Sequence, residues 1–155
     1  MEFDELKNKY SESAKKYNLP SFEELNEEFE IYKIDKDSDT ILRSVIKALL
    51  EKVVNSLNFI EMLLNPMNAP RMYQIYIKTM GPEDRESIGR IYNELSTISM
   101  LSLEREIDYS EKAEAELIST VVKIWKKLKP DFRKIFNNIK KPSNGSIRRE
   151  RNYFG

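Results

Sequence analysis

Apolar residues recur every three or four positions along most of this chain, which is the spacing of one face of an α-helix. The first run covers residues 3–17 and ends before Pro20, because the residue preceding a proline avoids the helical conformation. Ser21 stands three residues before Glu24, which is the spacing of a capping box and predicts that a second helix begins there. The buried face predicted for this second helix comprises Phe22, Leu25, Phe29 and Tyr32.

The longest periodic run covers residues 41–65, and a second apolar row widens its hydrophobic face. A wide apolar face predicts a helix that neighbours cover on more than one side. At a rise of 1.5 Å per residue, this helix would be nearly 40 Å long, on the order of a domain diameter. We therefore expect it to form the centre of the core.

Prolines and a capping signal divide the second half of the chain. After a break at residues 65–70, a short helix is predicted over residues 71–80, and another begins at Pro82. The methionines and tyrosines of the short helix, Met72, Tyr73, Tyr76 and Met80, are interpreted mainly as core, with an adhesive surface patch as the alternative.

A joint is predicted near residues 108–110, where Asp108 is the candidate cap of a further helix over residues 111–129. Pro130 is expected to interrupt that helix, because an interior proline lacks the backbone donor and clashes with the preceding turn. A last helical stretch is expected to follow, with Phe132, Ile135, Phe136 and Ile139 as its apolar positions.

These patterns together predict an all-α fold, an irregular helical bundle of five to seven helices around a long central helix at about residues 40–65. A charged fraction of 34% with only four glycines is typical of helical proteins. A single helical domain is predicted over residues 1–141. Residues 142–155 have too little apolar content to pack and are predicted to form a flexible basic tail.

The composition excludes most familiar active sites. The chain has no cysteine and no histidine, which excludes thiol chemistry, histidine general bases and thiolate zinc sites. No cofactor and no metal are predicted. The acidic amino-terminal residues do not resemble an export signal, and no apolar run approaches the 20 or so residues that cross a bilayer. The sequence therefore predicts a soluble, cytoplasmic protein that is not an enzyme.

Positive and negative residues are distributed unevenly along the chain. Residues 123–155 carry a net charge of +9, and because the whole chain is neutral, residues 1–122 carry −9. Such segregation indicates either an arm for an anionic partner or a segment that folds back on an acidic body. The cations that flank apolar positions are interpreted mainly as a solvated helix face: Lys123, Lys126, Lys127, Lys129, Arg133, Lys134, Lys140 and Lys141.

The predicted tail combines arginines with aromatic residues. Guanidinium groups bind phosphate through two hydrogen bonds, and aromatic rings stack on exposed bases, a pairing common in RNA contacts. A soluble tail that binds nothing, or that docks on the acidic body, is the alternative interpretation. The candidate residues for binding nucleic acid or another anion are Lys140, Lys141, Arg148, Arg149, Arg151, Tyr153 and Phe154.

The favoured function is a non-enzymatic binding protein whose basic arm contacts RNA or a ribonucleoprotein. The main alternative is a protein-interaction or assembly module, with another protein or a second copy of the chain as partner. Glu24 and Glu27, and also Glu111 and Glu114, are spaced three residues apart, which resembles the magnesium ligands of all-helical nucleoside triphosphate pyrophosphohydrolases. This resemblance implies a third function, a magnesium-dependent nucleotide hydrolase. Such enzymes pair a Glu-x-x-Glu motif with a Glu-x-x-Asp motif, and the second motif is absent because no Glu in this chain has Asp three residues later.

One family resemblance comes from two segments, residues 18–31 (NLPSFEELNEEFEI) and residues 125–130 (WKKLKP), with a long amphipathic helix between them. This arrangement resembles a group of small archaeal helical proteins over residues 1 to about 140. The resemblance implies an intracellular archaeal protein, does not extend to the tail, and assigns no functional residue.

Overall fold

The computed structural model describes residues 2–34 and 40–140 of the chain. Within those ranges it contains six α-helices and no strand, so the predicted all-α bundle is confirmed. Two 3-10 turns, Ile31–Lys33 and Pro66–Asn68, lie between helices. The helices are α1 (Glu2–Tyr17), α2 (Phe22–Phe29), α3 (Ile41–Leu64), α4 (Arg71–Thr79), α5 (Pro82–Ile107) and α6 (Glu111–Lys140).

The three longest helices, α3, α5 and α6, pack against one another and form the centre of the bundle. Helices α5 and α6 are antiparallel. Arg105 near the end of α5 pairs with Glu114 near the start of α6 at 3.3 Å, while Glu83 at the start of α5 pairs with Lys134 near the end of α6 at 3.0 Å. The short loop between the two helices allows this hairpin.

Helix α3 runs beside α6 in the same direction. Arg43 in its first turn lies 3.5 Å from Glu114, and the ring of Phe59 lies 5.5 Å from the ring of Phe136 near the end of α6. Helices α1 and α2 cover α3, and α4 packs on α3 and α6. The buried face of α3, which confirms the predicted central helix, comprises Leu42, Val45, Ile46, Leu49, Val53, Ile60 and Leu63.

The end of α2 differs from the prediction. Glu30 takes a left-handed conformation with φ of 52°, and its backbone N–H donates to the carbonyl of Asn26 at 2.9 Å, which closes the helix. Because the chain then turns, Ile31 is fully buried, whereas Tyr32, predicted on the buried face, is exposed. The predicted cap at the other end is confirmed: Ser21 Oγ accepts a hydrogen bond from the backbone N–H of Glu24 at 3.2 Å.

Pro130 does not interrupt the last helix, contrary to the prediction. It lies inside the single 30-residue helix α6. An interior proline costs about 3 kcal/mol or more. Packing outweighs this cost, because the apolar stripe continues in phase across the proline. The buried residues on its two sides are Trp125, Leu128, Phe132, Ile135 and Ile139.

The cap of α6 is Ser110 and not Asp108. Ser110 Oγ accepts a hydrogen bond from the backbone N–H of Ala113 at 3.0 Å. The backbone N–H of Asp108 still donates to the carbonyl of Glu104 at 3.0 Å, so Asp108 closes α5. The joint itself lies where the sequence predicts it.

Candidate functional site

A groove of about 480 Å³ lies between α3 and α6, with α4 forming part of its wall. Its size falls within the range of about 300–1,000 Å³ that is usual for ligand pockets. Aromatic and aliphatic side chains provide most of the wall, and a lysine is present on each of α3 and α6. The lining residues are Lys52, Asn55, Ser56, Phe59, Met72, Tyr73, Phe132, Phe136, Ile139 and Lys140.

The aromatic residues of the groove form a continuous row of ring contacts. The Phe59 ring lies 5.7 Å from Tyr73 and 5.5 Å from Phe136, and the Phe136 ring lies 5.9 Å from Phe132. Beyond the groove the row continues, because Phe132 lies 5.6 Å from Trp125. Edge-to-face and offset contacts of this kind stabilise aromatic rings against one another.

The rings are accessible because α4 is only nine residues long and covers the α3–α6 seam incompletely. Phe136 is 42% exposed although the sequence placed it on the apolar face of the last stretch. On α4, Tyr76 is buried as predicted, Tyr73 is half-buried, and Met72 is exposed at the groove. The short helix therefore supplies core residues and an accessible surface together.

Lys52 marks one end of the groove. Its ammonium group donates to the backbone carbonyl of Glu28 and lies 4.9 Å from the centre of the Trp125 ring and 5.4 Å from that of Phe29. Burial lowers the pKa of Lys52, and the positive charge of Lys129 acts in the same direction. A partly desolvated cation of this kind gains more from an arriving anion than a fully hydrated lysine does.

Lys140 marks the other end and is exposed on the last residue of α6. It is the one residue of the sequence-predicted anion site for which the structure gives a position. The other candidates, Lys141, Arg148, Arg149, Arg151, Tyr153 and Phe154, lie outside the described residues.

The cations of α6 are largely paired with acidic residues of other helices, rather than forming only a solvated face. In the described part of the chain, four of the seven cations between residues 123 and 140 make such pairs, two with α2 and two with α5. The pairs are Lys126–Glu24, Lys129–Glu28 at 2.6 Å, Lys127–Glu94 at 2.9 Å and Lys134–Glu83 at 3.0 Å.

The Lys129–Glu28 pair is the most enclosed of these four. The hydrogen bond from Lys129 is the main reason why the pKa of Glu28 lies below its ordinary value. Because the Glu28 backbone carbonyl also receives the Lys52 hydrogen bond, this residue links α2 to both α3 and α6. Part of the charge sorted along the sequence is therefore neutralised inside the molecule, near the Lys52 end of the groove.

A second cluster of charges lies far from the groove, at the start of α6. Glu114 is 1% exposed and accepts from Arg105 at 3.3 Å, and Arg43 lies 3.5 Å away. The guanidinium of Arg43 stacks 4.6 Å from the ring centre of Tyr109. One carboxylate thus joins α3, α5 and α6 at this end of the bundle.

Three of the four acidic residues proposed for magnesium, Glu24, Glu111 and Glu114, lie within ion-pair distance of cations. Glu24 pairs with Lys126, and Glu111 lies 3.7 Å from Lys16. No three acidic side chains in residues 2–34 and 40–140 come together as ligands for one metal ion. Within the same ranges, no helix combines the length and apolar character that a membrane crossing requires.

Comparison with protein-family models, with curated proteins and with solved structures finds no match to this chain. The resemblance to small archaeal helical proteins gains no support from these comparisons and enters no later argument. The functional interpretation depends on the groove and on the charges beside it, because a helical bundle as a fold does not define an activity.

Sequence reasoning missed Lys52, Phe59, Tyr73 and Phe136 as groove residues. Periodicity assigns such aromatic residues to the core, and it cannot reveal that α4 leaves a seam open. The sequence does contain one indication of the site. Lys52 lies between the apolar positions Leu49 and Val53 of the central helix, and a cation at such a position must reach solvent or a partner.

Proposed function

We propose that this protein binds RNA, without enzymatic activity, through the carboxyl-terminal end of α6 and the basic residues that follow it in the sequence. The observation that carries the proposal is an aromatic groove that ends at Lys140, immediately before the segment that contains Arg148, Arg149 and Arg151. Cations with accessible aromatic rings are the combination that binds single-stranded nucleic acid.

The distribution of ion pairs supports this position for the contact. Four cations of α6 are neutralised by α2 and α5, whereas Lys123, Arg133 and Lys140 make no ion pair with another described residue. Residues 1–140 carry a net charge of −3 and residues 141–155 carry +3, so the body as a whole does not attract a polyanion. Binding would therefore be confined to one end of the molecule.

The test is the affinity of the intact protein for a labelled RNA oligonucleotide, measured over a range of salt concentrations. We expect the affinity to fall steeply with salt, because each phosphate contact releases a counterion. Deletion of residues 143–155 should abolish most of the binding. Changing Arg148, Arg149 and Arg151 together to glutamine should reduce the log–log salt slope by about two, at roughly 0.7 for each contact with a single strand.

A matched control changes three cations of α6 that already have acidic partners, namely Lys126, Lys127 and Lys134. The same loss of charge there should leave the salt slope nearly unchanged. Binding that survives the deletion of residues 143–155 with an unaltered slope would contradict the proposal.

A second candidate function, protein assembly, is favoured by an apolar stripe on α5. Met100, Leu103 and Ile107 follow one another at helical spacing and are exposed. Contiguous exposed apolar surface often marks an interface between proteins. Molar mass measured by light scattering over a wide concentration range tests self-assembly. A mass above the monomer that Leu103→Asp restores to the monomer would support it, and a monomer at all concentrations would exclude it.

A further inference from the structure

The walls of the groove are built from rings that remain accessible in the folded protein. Phe136 is 42% exposed, and Tyr73 and Phe59 are half-buried beside it. A nucleobase that stacks on an accessible ring of this kind gains about 1–3 kcal/mol. Phe132, which is buried, supports Phe136 from behind at a ring distance of 5.9 Å.

The charges of the groove are of one sign. Lys52 and Lys140 are its charged residues, and no acidic side chain is among the described residues that line it. Lys52 lies two helical turns before Phe59, which is about 10 Å along α3, whereas Lys140 lies one turn beyond Phe136 on α6. The Lys52 ammonium already donates to the Glu28 carbonyl and lies near the charges of Glu28 and Glu30. Lys140 is therefore the lining cation without such a partner, and the groove is complementary to a ligand with an aromatic centre and a negative charge beside it.

A nucleic-acid duplex cannot stack its bases on the rings of the groove. In a duplex the bases are stacked and paired, so their faces cannot reach rings that lie between two protein helices. An unpaired nucleotide instead carries a planar base flanked by phosphates, and a groove of about 480 Å³ is of the size that encloses a small molecular group.

We infer that the groove between α3, α4 and α6 receives unpaired bases, which stack on Phe136 and Tyr73 while a flanking phosphate meets Lys140. The RNA partner is accordingly single-stranded where it contacts the protein. This inference depends on the proposed function and makes it more specific, because the basic tail alone would attract any polyanion.

The experiment compares a single-stranded RNA oligonucleotide with a duplex of the same sequence, using the full chain at one salt concentration. The wild-type protein should bind the single strand more tightly. Phe136→Ala should weaken single-strand binding by about 5- to 150-fold, which corresponds to one lost stacking contact. Its affinity for the duplex should stay within about twofold of the wild type.

Phe3→Ala is the matched control, because Phe3 is also an exposed phenylalanine, 47% accessible, and lies on α1 outside the groove. It should alter neither affinity. Phe136→Leu serves as a second variant that preserves apolar packing and removes the ring, and it should also lose the single-strand preference.

Lys140→Gln should lower the salt slope for the single strand by about 0.7, whereas Lys123→Gln, on the same helix outside the groove, should not.

The possible outcomes separate the groove inference from the proposed RNA-binding function. Salt-dependent binding that requires residues 143–155, with equal affinity for single strand and duplex or with no effect of either Phe136 variant, would overturn the groove inference and leave the proposed function standing. Failure of both RNA forms to bind would overturn the proposed function and the groove inference with it. A change in tryptophan fluorescence on adding single strand supports the groove, because Trp125 is the only tryptophan and lies at the Lys52 end.

Discussion

Removal of the Glu114 carboxylate tests whether one buried charge holds the three long helices in position. Glu114 is almost fully buried, and the side chain of Arg105, its partner on α5, is only 11% exposed. Changing Glu114 to alanine leaves the Arg105 guanidinium in a medium of low dielectric constant without its counter-charge. An uncompensated buried charge of this kind costs about 3–5 kcal/mol.

The geometry favours the lower end of that range. Nε of Arg105 is buried, and no acceptor among the described residues is within hydrogen-bonding distance. The native pair is therefore incompletely satisfied, and less is lost when it is broken. We expect a loss of about 3 kcal/mol in the free energy of unfolding. For a chain of this length, that corresponds to a fall in Tm of about 6–12 °C.

The two arginines that share Glu114 provide an internal control. The side chain of Arg43 is 57% exposed, so its pair with Glu114 is screened by water and contributes about 1 kcal/mol or less. Arg105→Met should therefore cost several times more than Arg43→Met, although both changes remove one cation from the same carboxylate. The double variant Glu114→Leu with Arg105→Leu should recover most of the stability, since apolar replacements leave no unpaired buried charge.

Urea denaturation followed by circular dichroism measures these differences at neutral pH. The reasoning is refuted if Glu114→Ala costs less than about 1 kcal/mol, or if the Arg43 and Arg105 variants lose the same amount. Either result would mean that water reaches the cluster and that burial does not determine its energy.

Three further substitutions should change the free energy of unfolding. Pro130→Ala should raise the free energy of unfolding by about 1–3 kcal/mol in urea melts, because alanine restores a backbone donor at an exposed position of α6. Tyr76→Phe should lower it by about 1–2 kcal/mol, because Tyr76 donates to the buried Asp84 at 3.1 Å. Because the pKa of Glu28 in the folded protein lies below its ordinary value of 4.5, the ionised side chain stabilises the fold at pH values above 4.5. This contribution is lost as the pH falls through the folded-state pKa. The stability difference between wild type and Glu28→Gln should therefore shrink in melts at acid pH, while an unchanged difference would remove Lys129 as the cause.

The helices were predictable because their signals are local. The apolar run at residues 41–65, the cap at Ser21 and the proline at the start of α5 each act within one or two turns, so they identify α2, α3 and α5 without knowledge of the rest of the fold. The same local rules failed at Pro130, where packing against α3 and α5 outweighs the intrinsic preference of the residue.

The groove was not predictable for the opposite reason. Phe59 and Phe136 are 77 positions apart in the sequence, and they meet only because α3 and α6 run side by side in the same direction. Periodicity identifies both as apolar positions on helices, but it does not determine which helices become neighbours. A site formed at such a seam depends on tertiary packing that no local pattern contains.

The pairing of α6 with α2 and α5 also bears on how an anionic partner would approach. Exposed pairs such as Lys127–Glu94 contribute little stability, about 1 kcal/mol or less each, so their main effect is on the electrostatic field around the protein. Such pairs cancel the charge of four cations of α6, whereas Lys123, Arg133 and Lys140 make no ion pair with another described residue. Residues 1–140 carry a net charge of −3 and the residues that follow carry +3, so the field attracts a polyanion mainly to the carboxyl-terminal end of the chain, where the groove lies. Removing the acidic partner of one such pair, as in Glu94→Gln, would extend the positive region along α6. It should raise the association rate for RNA at low salt while leaving the single-strand preference, which depends on the rings, unchanged.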